Sequence, residues 1–285
     1  MELFRSLAVV AESAAGEAEP VVAALKLGSA PSAAEFAELF EFQLYPYASV
    51  YLGGEGMLGG EARDRIAGFW RALGESPPPE PDHLAVLLAA YAELVGNETG
   101  AQGSEDRSRW RLARSAFLWE HLLSWLPVYL DRLGELGSEF YRAWGTLLTA
   151  ALLEEAARLP APDALPLHLR GAPPLGDLEN AGGDEFLKAV TTPVRTGMVL
   201  TGADLERCAR SLSLGLRKGE RRYVLKSLLG QAPKATLEWL AGEADRQAAL
   251  HRDRPTALAT VSAFWRERAD KTAVLLRGAA PVIDG

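Results

Sequence analysis

Apolar side chains recur along this chain every three or four positions, the spacing of one face of an α-helix. Leu3, Phe4, Leu7, Val10 and Ala11 mark a first helix over 2–14. A second, over 17–27, takes Pro20 in its opening turn and stops at Gly28. Ser32 and Glu35 have capping-box spacing ahead of Phe36, Leu39, Phe40 and Leu44. Ile66, Phe69, Trp70 and Leu73 define a helix over 61–73. Another starts at His83 and carries Leu84, Leu87, Leu88, Tyr91 and Leu94 to a stop at Gly96 and Asn97. Trp110, Ala113, Phe117, Leu118, His121 and Trp125 place a helix over 107–125, bent or restarted at Pro127. Ser138 opens a long helix to about Leu159, and Thr201 or Gly202, the basic segment around Arg221, 233–250 and 255–276 supply the rest. The segment Tyr45–Leu52 would pass as a strand, yet no second one follows it. The pattern predicts an all-α fold.

Punctuation divides the pattern. Residues 160–183 gather Pro160, Pro162, Pro166, Pro173, Pro174, Gly171, Gly176, Gly182 and Gly183. The expected organisation is a helical domain over 1–160, a Pro/Gly-rich linker or excursion over 161–200, and a basic helical region over 201–285. A polar loop is expected over 97–106. Residues 1–200 hold 15 basic and 28 acidic side chains, a net −13, whereas 201–285 hold 15 and 10, a net +5. An acidic body repels nucleic acid and attracts basic peptides.

Composition then removes whole classes. A 48% hydrophobic and 24% charged chain is ordinary for a globular protein. Cys208 is the single cysteine, which excludes an internal disulfide and multi-cysteine metal sites and suits a reducing compartment. No run approaches the roughly 18 apolar residues of a membrane span, and Met1–Gly16 lacks the layout of a secretory signal. The expected location is cytoplasmic.

Candidate chemistry is thin. Asp82 and His83 are sequence neighbours, so on a helix they point about 100° apart and do not face each other. Asp82 is placed to cap the helix that starts at His83. There is neither an H-E-x-x-H zinc pattern nor a G-x-S-x-G nucleophile elbow, and no cofactor or metal is expected. His121 lies on an apolar helix face, where a core imidazole needs no catalytic role. Gly54, Gly56 and Gly59 have G-x-G-x-x-G spacing, but repeating strand–helix units are missing, so they read as a loop. Residues 204–229 have helix–turn–helix spacing with Arg221, Arg222 and Lys226 in the second helix. That supports an alternative reading, a helical regulator whose basic region binds nucleic acid or a protein partner.

Three ordered stretches bear a resemblance. Glu80-Pro81-Asp82-His83-Leu84 is similar to an acidic, proline-containing E-P-x-D-H element, here without its spacer. Phe117-Leu118-Trp119-Glu120-His121-Leu122-Leu123-Ser124-Trp125 matches F-L-x-x-H-L-x-x-W in full. Tyr45-Pro46-Tyr47-Ala48-Ser49-Val50-Tyr51-Leu52 is similar to P-Y-E-S-V-Y-L, with Ala48 in place of the acid, and Phe140-Tyr141 matches a frequent F-Y pair. Over about 30–160 the chain resembles the TorD/DmsD family of cytoplasmic chaperones for molybdenum-cofactor oxidoreductases. The basic helices at the end are an addition that the family does not explain.

That resemblance implies a TorD-like helical bundle that binds rather than catalyses. The partner would be the catalytic subunit of a molybdopterin oxidoreductase, met through its twin-arginine signal peptide or in its apo form; monomer and homodimer both fit. A receptor for such a peptide needs carboxylates beside an apolar groove. The expected peptide-binding set is Glu80, Pro81, Asp82 and His83 at the acidic turn, with Trp119, His121, Trp125 and Tyr129 as the apolar wall. Tyr47 and Tyr51 would add hydroxyls to the groove.

Overall fold

The computed structural model describes residues 2–12, 18–176 and 182–279, and within them every extended regular element is helical. The chain divides into two compact units, one of Met1–Ser49 with Leu58–His168 and one of Val50–Met57 with Leu169–Gly285. The all-α expectation holds.

The first unit opens with α1 (Glu2–Glu12) and α2 (Glu19–Leu25). The left-handed residue that closes α2 is Lys26, two positions before Gly28. The expected ends of the first two helices near 13–17 lie outside the described residues. Then α3 (Ala33–Phe36) begins at the expected capping box: Glu35 N–H donates to Ser32 Oγ at 3.2 Å and Ser32 N–H to Glu35 Oε2 at 2.9 Å. It widens into a π-helical turn over Ala37–Gln43. The Tyr45–Leu52 segment is not a strand. It makes one isolated antiparallel bridge, Tyr47 with His83, and enters the short α4 (Ala48–Leu52).

After α5 (Gly60–Ala72), α6 (Leu84–Gly100) passes straight through Gly96 and Asn97, where a stop was expected. Tertiary pairing outweighs the local preference: Glu98 is buried and accepts from Arg114 Nη1 at 2.7 Å. The expected 97–106 loop shrinks to the turn before α7 (Ser104–Phe117). That helix does not reach Trp125 as a regular α-helix. It passes into a π-helical turn over Leu118–Leu122, closed by Leu123 N–H on Leu118 O at 2.8 Å, and stops before α8 (Leu126–Leu136). Pro127 explains the stop, since it has no N–H to give and its ring crowds the carbonyl four residues earlier. The π turn resets which side chains face inward, so Leu118, Trp119, His121, Leu122, Leu123 and Trp125 are all buried.

The long α9 (Glu139–Arg158) packs on α8. The two run close at Gly145, where a Cβ would lie 2.6 Å from Leu133 Cδ2. Trp125, Trp144, Tyr91, Tyr129, Phe40 and Phe117 fill the core of this unit. At about 1.5–3 kcal/mol for each large apolar side chain removed from water, this core dominates the unit's stability.

The 161–200 stretch is more than a linker. It carries α10 (Leu167–Arg170), α11 (Gly183–Val190) and α12 (Pro193–Thr196). Leu187, Val190, Met198 and Leu200 join the core of the second unit. Counting prolines and glycines gave too little weight to the apolar residues between them. The second unit continues with α13 (Gly202–Leu212), α14 (Arg221–Gln231), α15 (Pro233–Leu250) and α16 (Ala259–Ala279). Thr201 caps α13 by a capping box with Asp204. The α15–α16 pair is the main packed pair, and Gly197 (φ +71°) sits against the α16 backbone, where a Cβ would fall 2.4 Å from Trp265 O. No described helix is long and apolar enough to cross a membrane.

Candidate functional site: an acid-edged cleft

The turn before α6 is held from several sides. Arg63 Nη2 donates to Pro79 O at 2.8 Å and His83 N–H to Glu80 O at 3.1 Å. On its inner edge, Leu84 N–H donates to Pro46 O at 2.7 Å and Ala48 N–H to Asp82 O at 2.9 Å. The cap of α6 is His83, not Asp82: Ala85 N–H donates to His83 Nδ1 at 3.2 Å. Asp82 is buried and turned the other way, with its carboxylate accepting from Ser49 N–H at 3.2 Å. It caps a helix, but that helix is α4, which reaches it through the fold rather than along the chain.

Glu80 stays exposed and accepts from the Tyr47 hydroxyl at 3.1 Å. Burial, and then the Glu80 hydrogen bond and charge, push the Tyr47 phenol up to about 12. The Tyr47 and His83 rings meet edge to face at 4.8 Å. Burial moves His83 down from the usual imidazole range, opposed by the charges of Glu80, Glu12 and Asp82. The acidic turn therefore sits in the field of α1 as well as its own.

A cleft of about 530 Å³ opens between α1, the end of α5 and α6. Its apolar lining comes from Ala8, Val9, Trp70, Pro78, Ala85, Val86, Ala89 and Ala90. Glu12, Glu75 and Glu93 line it too, all exposed, and Arg5, which also lines it, lies 3.8 Å from Glu2. Ala85, Ala89 and Glu93 recur every four residues, one stripe of α6 left shallow by its alanines. A surface of this kind holds a cationic head and an apolar body together.

The expected site residues separate into two groups. Glu80, Tyr47 and His83 reach the surface at the acidic turn, with Pro81 and Asp82 buried behind them. Trp119, His121, Trp125, Tyr129 and Tyr51 are all buried. Trp125 Nε1 donates to His121 O at 2.9 Å, and the Tyr129 hydroxyl to Leu44 O at 3.4 Å. The F-L-x-x-H-L-x-x-W aromatics are thus core, and the structure does not bring them to the surface beside Glu80. The α1–α6 cleft was missed because its floor is alanine, which hydrophobic periodicity weighs lightly. The available signal was the run of alanines opposite the leucine face of α6, ending in Glu93.

His121 and His168 form a second buried pair, with Nδ1 of the first 3.4 Å from Nε2 of the second. Burial, followed by its partner's charge, holds His121 down to about 3, and burial with Arg65 holds His168 down to about 4. Among the described residues no group of three or more His, Cys, Asp or Glu side chains could hold a metal ion. The glycines of the G-x-G-x-x-G spacing follow a helix rather than a strand, and a Cβ on Gly56 (φ +61°) would fall 3.0 Å from Thr192 Oγ1.

Residues 12–131 match the family model described as nitrate reductase delta subunit. Proteins named chaperone protein TorD are similar to this chain. The one from Vibrio vulnificus strain YJ016 is 32% identical over 127 residues, 41% of this chain and 59% of that protein. Over part of its length the chain is similar to the TorD chaperones. One from Vibrio cholerae O395 is 35% identical over 108 residues, covering 35% of this chain and 49% of the relative. For Shewanella amazonensis the figures are 32% over 157 residues, 42% and 62%. The chain thus spans less than two thirds of the length of these curated relatives. The match to the nitrate reductase delta subunit model takes in the acidic turn, Glu12, Trp70, Glu75 and the α6 stripe, and ends before Leu169, where the larger segment of the second unit begins.

Proposed function

We propose that this protein is a chaperone for the catalytic subunit of a molybdopterin oxidoreductase, and that it binds the subunit's twin-arginine signal peptide rather than catalysing a reaction. The chaperone names of the TorD relatives support the general role. The observation that carries the finer reading is the α1–α6 cleft, an apolar floor with Glu12, Glu75 and Glu93 around it and Glu80 on the adjoining turn. A twin-arginine peptide is a pair of guanidinium groups followed by an apolar run. The carboxylates pair with the guanidinium groups, each planar and always charged, and the apolar run lies over Ala85, Ala89 and Val9. The net −13 over residues 1–200 steers the encounter.

Calorimetric titration of the full chain with a synthetic signal peptide, and with its Lys-Lys variant, tests this reading. The twin-arginine form binds more tightly, because lysine loses the forked pairing. Equal affinity for both removes the forked guanidinium pairing from the proposal.

A further inference from the structure

The second unit bears a groove of opposite character. It measures about 720 Å³ and is lined by residues of the turn between α13 and α14 and of α14 itself: Leu216, Arg217, Tyr223, Lys226, Ser227 and Gln231 among them. Its shape is fixed, because the Gln231 side chain bonds both backbone groups of Gly215, accepting from N–H at 2.8 Å and donating to O at 2.8 Å. Leu216 on the turn and Tyr223 on α14 are 43% and 48% exposed, apolar area left in water beside the exposed Arg217 and Lys218. Arg217 Nη1 donates to the Tyr223 hydroxyl at 3.1 Å, so the cation and the ring form one wall.

The neighbouring cations decide which partner fits. Arg221 donates to Leu200 O at 2.8 Å, and Arg222 to Glu55 O at 3.2 Å, so the opening turn of α14 is engaged in holding its own unit together. Arg217 and Lys226 line the groove and Lys218 is exposed on the same turn, while Lys226 lies 3.3 Å from Asp184 in an exposed pair worth little. Three cations around a short apolar-walled groove are too few and too compact to follow a nucleic-acid backbone. They suit a polypeptide segment in which carboxylates flank an apolar side chain.

We propose that this groove is a second docking surface of the chaperone and takes an acidic, apolar-centred segment of the client polypeptide. The inference rests on the chaperone reading above. One chain would then hold a basic segment of its client at the α1–α6 cleft and an acidic segment at this groove.

The test uses the full chain and a fluorescein-labelled dodecapeptide made of four Glu-Leu-Asp repeats, followed by anisotropy. The expected result is saturable binding that weakens at least tenfold in Arg217→Glu/Lys226→Glu, while titration with the twin-arginine peptide is unchanged. Both side chains are exposed, so the variant keeps its fold, checked by its circular dichroism. The proposal is overturned if the acidic peptide binds parent and variant alike. It is also overturned if a dodecameric oligothymidylate binds more tightly than the peptide and loses affinity in the same variant, or if the variant abolishes self-association of the chain instead. Binding of the acidic peptide without any binding of the twin-arginine peptide would sink the signal-peptide reading and leave this groove standing.

Discussion

Asp82 and Ser49 stand 33 positions apart in the chain, and the carboxylate of one accepts the backbone N–H of the other at 3.2 Å. This bond, with Ala48 N–H on Asp82 O at 2.9 Å, ties the start of α4 to the acidic turn. Asp82→Ala removes the acceptor and leaves a buried N–H unpaired, which costs about 1–3 kcal/mol. Asp82→Asn keeps an oxygen in place and recovers most of that. Urea denaturation of the two variants separates them; equal losses would mean that the hydrogen bond is not what Asp82 supplies.

The His121–His168 pair makes the protein sensitive to mild acid. Both imidazoles are held neutral in the fold, down to about 3 and about 4, whereas in the unfolded chain they titrate near 6.5. Between those values the unfolded chain binds more protons, so stability is fully present above about pH 6.5 and falls as the pH drops towards 4. Each histidine contributes about 1.4 kcal/mol per pH unit in that window. His251, held down to about 4 by burial and by Arg254 and Arg266, acts with the same sign. Glu120 accepts from Leu167 N–H at 2.6 Å, which keeps a carboxylate beside the segment that carries His168. In denaturant titrations from pH 7 to pH 5, His168→Phe should lose stability less steeply than the parent; an identical slope would rule the pair out.

Arg114 joins three helices of the first unit. It bonds Glu98 at 2.7 Å, the Tyr91 hydroxyl at 3.1 Å and the carboxylate of Glu155. Glu98 and Glu155 are buried, so Arg114→Met leaves two carboxylates without their principal cation, a loss of about 3–5 kcal/mol. Arg111 reaches Glu98 only at 3.5 Å and is half exposed, so it compensates weakly. A melting temperature within a degree or two of the parent would contradict this.

Much of the fold was legible because helix periodicity and capping are local. Ser32 with Glu35, Thr201 as a helix start and the α15 and α16 segments were read from neighbours a few residues apart. Failures came where distant groups decide the outcome. Gly96 and Asn97 look like a helix end until Arg114 claims Glu98, and Asp82 looks like the cap of the next helix until the fold delivers Ser49. The π turn at Leu118–Leu122 is invisible to a count that assumes one period throughout. For the same reason Trp119, His121 and Trp125 were assigned to an open groove and proved to be core. At the site the acidic turn is legible in the residues but α1 as its neighbour is not, since nothing local places Glu12 near His83.

The central claim is that carboxylates around the α1–α6 cleft recognise a cationic, apolar peptide. The direct measurement is calorimetry of the twin-arginine peptide on Glu12→Lys/Glu93→Lys, two exposed positions whose reversal leaves the core untouched. Loss of even one charge-assisted pair, about 1.5–3 kcal/mol, predicts at least a tenfold drop in affinity with the melting temperature preserved. Unchanged affinity in that well-folded variant would place the peptide elsewhere and contradict the account.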